Sequence, residues 1–272
     1  MTSGSPRSAR FGDLGLRVVS GLVLAAIAFG NVWAGGAWAA AFLSLVLILM
    51  LWEYHRMITG DGRALAPALV VAAVAGVLAL AATAGWSAGH GLAWLAAGSL
   101  VVALTSRPWA AWMTAGFLYM TLAMGALLVI RAKEPEGVFL VLWMVLVVVA
   151  TDVGAYFVGR AVGGAKLWPA VSPGKTWSGA IGGLAAAAII GLFVGMALAW
   201  NPIRIGLLSM GISVCAQAGD LLESAVKRRF GVKDASALIP GHGGVMDRLD
   251  GIMGGVWFFA ICDALGVGVI GT

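Results

Sequence analysis

The chain has 272 residues, 61% of them hydrophobic and 11% charged, with a formal net charge of +5. Soluble domains carry about 25% charged residues, and long apolar runs recur here from end to end, so a soluble domain with one anchor is excluded. The runs also lack the short alternating segments of a β-barrel, which leaves a polytopic helical membrane protein, all-α in class.

The start, MTSGSPRSAR, is short, polar and basic. No small-residue cleavage site follows, so the first apolar run is read as a retained span. Hydropathy predicts a transmembrane bundle of about nine spans, near 16–34, 37–54, 64–85, 91–105, 109–130, 138–158, 177–199, 204–222 and 252–270. Gly, Pro and charged residues punctuate them, as at Gly35-Gly36, Glu53 to Arg63, Gly85 to His90, Ser106-Arg107-Pro108 and Asn201-Pro202. Most of the 40 glycines are read as sites of close helix approach. Trp33, Trp38, Trp52, Trp86, Trp109 and Trp112 fall near span ends, as interfacial aromatics do. Cys215 and Cys262 have no metal-ligand spacing and are expected to be free thiols.

Nine spans put the N-terminus and the even-numbered loops on one side. That side carries 14 of the 17 Lys and Arg; the other carries Arg131, Lys133 and Arg204. The positive-inside rule makes the richer side cytoplasmic. Residues 1–135 show no intramembrane carboxylate and are expected to be a frame of N-terminal helices. Residues 136–272 are expected to be the catalytic region, with cytoplasmic loops at 160–176 and 223–251.

Asp152, in VVVATDVGAYFVGR, lies toward the inner end of the sixth span. An ionisable residue there is either functional or a polar contact to Thr151, Tyr156 or Arg160. The next loop holds VSPGKTWSG, residues 171–179, where Gly, Lys175 and a hydroxyl suit phosphate oxygens; it is not a Walker A motif. Between Ser213 and Gly251 charge is densest, which in so apolar a chain needs a membrane face or a wet, protein-lined cavity. Asp220 and Glu223 lie three apart, Lys227, Arg228 and Arg229 follow, and PGHGGVMDRLDG sets Asp247 and Asp250 on either side of Arg248. Carboxylates without sulfur or several His ligands suit a hard cation such as Mg²⁺. Interleaved with Lys and Arg, they are what a nucleotide triphosphate needs. His242 is a phosphate donor, a base or a turn residue, the first and last being favoured; Asp263 is expected mid-span in the ninth helix as a buried contact or a proton relay.

The run Ser224-Ala-Val-Lys227-Arg228, four residues, Lys233-Asp234, then Ile239 to Asp250 (IPGHGGVMDRLD) resembles the signature of phosphatidate cytidylyltransferases, also called CDP-diacylglycerol synthases. Asp152 to Tyr156, Gly159-Arg160 and Ser172 to Trp177 are also similar to that family, although Ser178 stands where an acid is expected and Gly174 where a Lys is common. The resemblance implies an integral inner-membrane enzyme converting phosphatidic acid and CTP to CDP-diacylglycerol and pyrophosphate. It implies Mg²⁺ and a second, monovalent cation such as K⁺, a homodimer, membrane lipid as partner and no nucleic acid. On this reading Asp220, Lys227, Asp247 and Arg248 are catalytic, and Lys175, Ser224, Arg228, Lys233 and His242 hold the nucleotide. Asp152, Asp220, Asp247 and Asp250 are the metal ligands. Two rivals are a transferase using CTP with another membrane lipid and an ion-coupled secondary transporter with Asp152, Asp220 and Asp263 along its path.

Overall fold

The computed structural model describes residues 6–60, 67–85 and 88–267. Arg63, Trp86, the first residues of the third expected span and the last of the ninth lie outside them. Among the described residues there are nine helices: α1 (Pro6–Ala34), α2 (Gly36–Thr59), α3 (Pro67–Gly85), α4 (Ala88–Thr105), α5 (Ala110–Arg131), α6 (Gly137–Val162), α7 (Trp177–Ala197), α8 (Pro202–Arg229) and α9 (Met246–Ala264). By length and composition α2, α5, α6, α7 and α8 can each cross a membrane, and Val18–Ala34 and His90–Thr105 are shorter apolar helices. Trp33, Trp38 and Trp109 sit exposed at helix ends, where interfacial aromatics were expected. Cys215 and Cys262 are free.

Three differences from the sequence expectation have clear causes. The 160–176 segment is not all loop: β1 (Lys166–Trp168) and β2 (Ser172–Thr176) form an antiparallel hairpin, with Lys166 opposite Thr176. The hairpin gives this polar segment backbone partners that a bare loop would lack. α8 continues to Arg229, past the apolar run that was expected to end near 222, because its polar continuation is made of good helix formers. α9 begins at Met246 and ends at Ala264, so Asp263 closes the helix and is not mid-span. There it pairs with Lys133, which offsets an anion at a helix C-terminus.

The chain divides into two compact units, Met1–Phe117 with Asp234–Arg248, and Leu118–Lys233 with Leu249–Thr272. In the first, α1 packs on α2, α2 on α3 and α3 on α4. Leu47, Met50, Leu51 and Phe117 are fully buried there. α2 ends on Gly60, whose φ of 66° is the left-handed conformation that closes helices.

In the second unit α6 packs on α7 and α7 on α8. Small residues permit it: a Cβ at Gly154 would lie 2.9 Å from the Gly182 carbonyl oxygen, and one at Gly183 would lie 2.8 Å from that of Thr151. α8 meets α9 in the same way, a Cβ at Gly219 falling 2.6 Å from the Asp250 carbonyl oxygen. Buried polar groups there pair with one another: Trp143 Nε1 donates to Ser209 Oγ at 2.9 Å, and Thr151 Oγ1 lies 2.9 Å from Ser213 Oγ. Local sequence fixes the helix starts. Thr176 caps α7 by accepting the Gly179 N–H at 3.1 Å, and Asn201 caps α8 by accepting that of Arg204 at 3.1 Å.

Candidate active site

The polar end of α8 is the spine of the site in the second unit. Asp220, Ser224, Lys227 and Arg228 recur at helical spacing, and Lys227, Arg228 and Arg229 fill the last turn, where cations complement the helix dipole. Ser224 Oγ donates to Asp220 Oδ1 at 3.3 Å. Glu223 and Lys227 form a buried ion pair at 3.1 Å, with side chains 6% and 11% exposed.

The β hairpin delivers the second element. Lys175, on β2, places its Nζ 2.5 Å from Asp220 Oδ2. Arg228 Nε donates to the Val171 carbonyl at 3.4 Å, and its Nη1 to that of Val232 at 3.2 Å. The hydroxyl of Thr176, expected to suit phosphate, is occupied in capping α7. Ser178 donates to the Gly163 carbonyl at 2.5 Å, closing the hairpin against the end of α6.

α9 and α6 supply further carboxylates. Asp250 lies ahead of the apolar run that starts at Ile252, and it accepts the Gly251 N–H at 2.7 Å. Burial, then the neighbouring charge of Asp220, push its carboxyl up to about 6, against the pull of the Gly251 N–H and Lys227; Asp152 adds to the rise. Asp152, Asp220, Asp250 and Lys227 thus share one electrostatic neighbourhood. Asp152 is exposed on α6, where Arg160 donates to Tyr156 OH at 3.5 Å and the Thr151 hydroxyl turns to Ser213. Lys233 is exposed beyond α8.

His242, Asp247 and Arg248 belong to the first unit, on the segment Asp234–Arg248. Asp247 Oδ2 accepts the N–H groups of Gly244 at 2.8 Å and Ala235 at 3.0 Å, so this carboxylate organises its own loop. His242 Nδ1 lies 3.0 Å from Ser20 Oγ, which also reaches the Pro240 carbonyl at 3.2 Å. Arg248 is exposed.

The same unit holds a residue that the sequence reading passed over. Glu53, on α2, has no exposed surface. Its Oε1 accepts Ser236 Oγ–H at 2.6 Å and Val245 N–H at 2.9 Å, and its Oε2 accepts Met246 N–H at 2.7 Å. Residues 1–135 therefore do contain a buried carboxylate inside an apolar helix. The signal is present in MLWEYHRM, a lone acid within an apolar run, but by position Glu53 reads equally as the first residue of the charged turn that ends at Arg63.

Among the described residues, no three His, Cys, Asp or Glu side chains gather closely enough to hold a metal ion unaided. The charge of Asp220 nonetheless raises the cost of ionising Asp250, and a hard cation between carboxylates and a substrate phosphate would offset that cost. Such cations are commonly held by one or two carboxylates, with phosphate oxygens and water completing the shell. The arrangement can bind a polyphosphate: cations on Lys175, Lys227 and Arg228, beside carboxylates that suit a metal.

The profile of the cytidylyltransferase family matches residues 15–265. The chain is 36% identical over 250 residues to a protein of Brucella suis named phosphatidate cytidylyltransferase, covering 89% of this chain and 90% of that one. A protein of the same name from Pseudomonas aeruginosa is 35% identical over 259 residues, 90% of this chain and 94% of its own. One from Haemophilus influenzae is 46% identical over 131 residues, 46% of each chain. With the charge cluster, the signature loop and helices α2 to α9 all inside the matched span, the chain belongs to the cytidylyltransferase family.

Proposed function

We infer that the protein is a phosphatidate cytidylyltransferase, transferring CMP from CTP to phosphatidic acid and releasing pyrophosphate. The observation that carries this reading is the meeting of Lys175 with Asp220. It joins the 172–177 motif to α8 in a chain similar, over about nine-tenths of its length, to proteins of that name. In the reaction a phosphate oxygen of the lipid bonds to the α-phosphorus of CTP, and the bond to the β-phosphate bridging oxygen breaks with its electron pair on pyrophosphate. The nucleophile is already an anion, so no strong base is required. The protein has to hold two anions together and offset their repulsion.

Lys175, Lys227, Arg228, Lys233 and Arg248 are proposed to hold phosphates, with Ser224 and His242 as neutral donors. Asp220 and Asp250 are proposed first as ligands for Mg²⁺, because the charge of Asp220 bears on Asp250; Asp152 and Asp247 are proposed as further ligands. When bound, Mg²⁺ neutralises phosphate charge, and a monovalent cation such as K⁺ is proposed as its companion. Asp220 orients Lys175 toward the polyphosphate, and the Glu223–Lys227 pair keeps an ammonium fixed beside it. The basic excess of the N-terminus and the even-numbered loops supports a site on the cytoplasmic face of a bacterial inner membrane. Soluble CTP there meets a lipid whose tails stay in the bilayer. A homodimer is proposed from the family resemblance.

The test is an assay of the purified protein with labelled CTP, phosphatidic acid and Mg²⁺. Lipid-linked CMP and pyrophosphate should form in equal amounts. Absence of product from phosphatidic acid, with turnover of a different lipid, overturns the assignment.

A further inference from the structure

We infer that Glu53 is a positioning residue for this reaction: from α2 it fixes the signature loop and the first turn of α9, which carry Asp247 and Arg248. The inference rests on the proposed reaction, but its geometry lies wholly within the first unit.

A helix start leaves backbone N–H groups without partners inside the helix. At α9 two such groups, from Val245 and Met246, donate to Glu53, one to each carboxylate oxygen. Ser236, at the other end of the loop, donates to Oε1 as well. One buried side chain therefore ties both ends of the segment between Ser236 and Met246. The loop is shaped to admit it: a Cβ at Gly244 would lie 2.6 Å from Glu53 Oε1. Between those ends the chain reverses through Gly241 and Gly243, at φ of 75° and 82°, with Ile239 N–H on the Gly243 carbonyl at 2.8 Å.

Both oxygens of Glu53 accept and neither donates, so an amide does not replace it. Glu53→Gln keeps the size but turns an NH₂ group toward an N–H or O–H donor, leaving a buried donor unpaired. An anion at this place also faces the positive end of the α9 dipole. Asp247 reinforces the same loop from within by accepting Ala235 and Gly244 N–H groups. The anchor on α2 is what places that loop against a fixed element.

The experiment uses the full-length protein in lipid nanodiscs, comparing wild type, Glu53→Gln and Ser236→Ala. Hydrogen exchange is read on peptides covering 235–247, alongside kcat and KM for CTP. In Glu53→Gln, exchange in that segment should rise about tenfold or more. KM for CTP should rise and kcat/KM should fall about tenfold or more. Loss of folded protein alone scales kcat and leaves KM where it was, so the KM change separates positioning from stability. Ser236→Ala, which removes one of three donors, should move both readouts the same way by about threefold, and it decides the matter if Glu53→Gln does not fold. Unchanged exchange, or faster exchange with unchanged KM and kcat, overturns the role of Glu53. A wild-type protein that forms no lipid-linked CMP overturns the reading of the reaction, whatever the exchange shows.

Discussion

Lys175 Nζ and Asp220 Oδ2 lie 2.5 Å apart, the one on β2 and the other on α8. Each side chain is about three-tenths exposed, 28% and 30%, so the pair contributes little to stability, ~1 kcal/mol or less. Its value lies in where it leaves the ammonium. Lys175→Met should shift the thermal midpoint only slightly while lowering kcat/KM for CTP on the order of 100-fold. A fallen midpoint with intact kcat/KM would mark the pair as purely structural. Thermal unfolding and initial rates on the same preparation decide it.

Glu223 and Lys227 present the opposite case. Their side chains are 6% and 11% exposed, so removing one partner strands a buried charge. Lys227→Ala should destabilise the protein by ~3–5 kcal/mol. Replacing both, as Glu223→Gln with Lys227→Met, should restore most of that loss, since no charge is then left uncompensated. Activity should stay low in the double variant if Lys227 holds phosphate. Denaturation curves and assays of wild type and the two variants check both halves.

Asp250 carries a pH signature. Its folded value of about 6 lies above the ordinary 3.8. Between those values the folded protein keeps a proton that the unfolded chain has lost. Stability therefore falls as pH rises through that window, and the full penalty, on the order of 3 kcal/mol, stands above it. Asp250→Asn should leave the thermal midpoint unchanged at pH 4 and raise it above pH 7, while abolishing turnover. Mg²⁺ should raise the wild-type midpoint at pH 8 more than at pH 5, because it competes with the proton. That increment should vanish in Asp250→Asn and in Asp220→Asn, and chelation should reverse it in the wild type.

Helix positions were readable because apolar runs end at glycines, prolines and charges. α5 was expected at 109–130 and lies at Ala110–Arg131; α7 was expected at 177–199 and lies at Trp177–Ala197. Apolarity measures hydrocarbon and not helix, so it failed where helices leave the apolar region. α8 runs on to Arg229, and α9 begins six residues ahead of its apolar run, at Met246 rather than 252. The charged residues proposed for the site also stand out in sequence, and the Lys175–Asp220 pair joins two motifs that lie apart along the chain. Glu53 was not visible as a partner of Ser236, Val245 and Met246. Nothing local in MLWEYHRM points to a loop nearly two hundred positions away, since |i−j| is 192 to Val245. Buried backbone donors declare their acceptor only once the fold is known.

α8 joins its apolar run and its ionic residues in one unbroken helix from Pro202 to Arg229. From Asp220 to Arg228 the axis advances about 12 Å at the usual helical rise, so acid and base are set at fixed heights on a single rigid rule. A lipid head hung from its own tails is also held at a set height. Lengthening the acyl chains below the glycerol leaves that height alone, whereas a spacer between glycerol and phosphate moves the head along the rule. With the substrate phosphates held along α8 as proposed, lipids should be selected by the depth of the head and little by what lies beneath it.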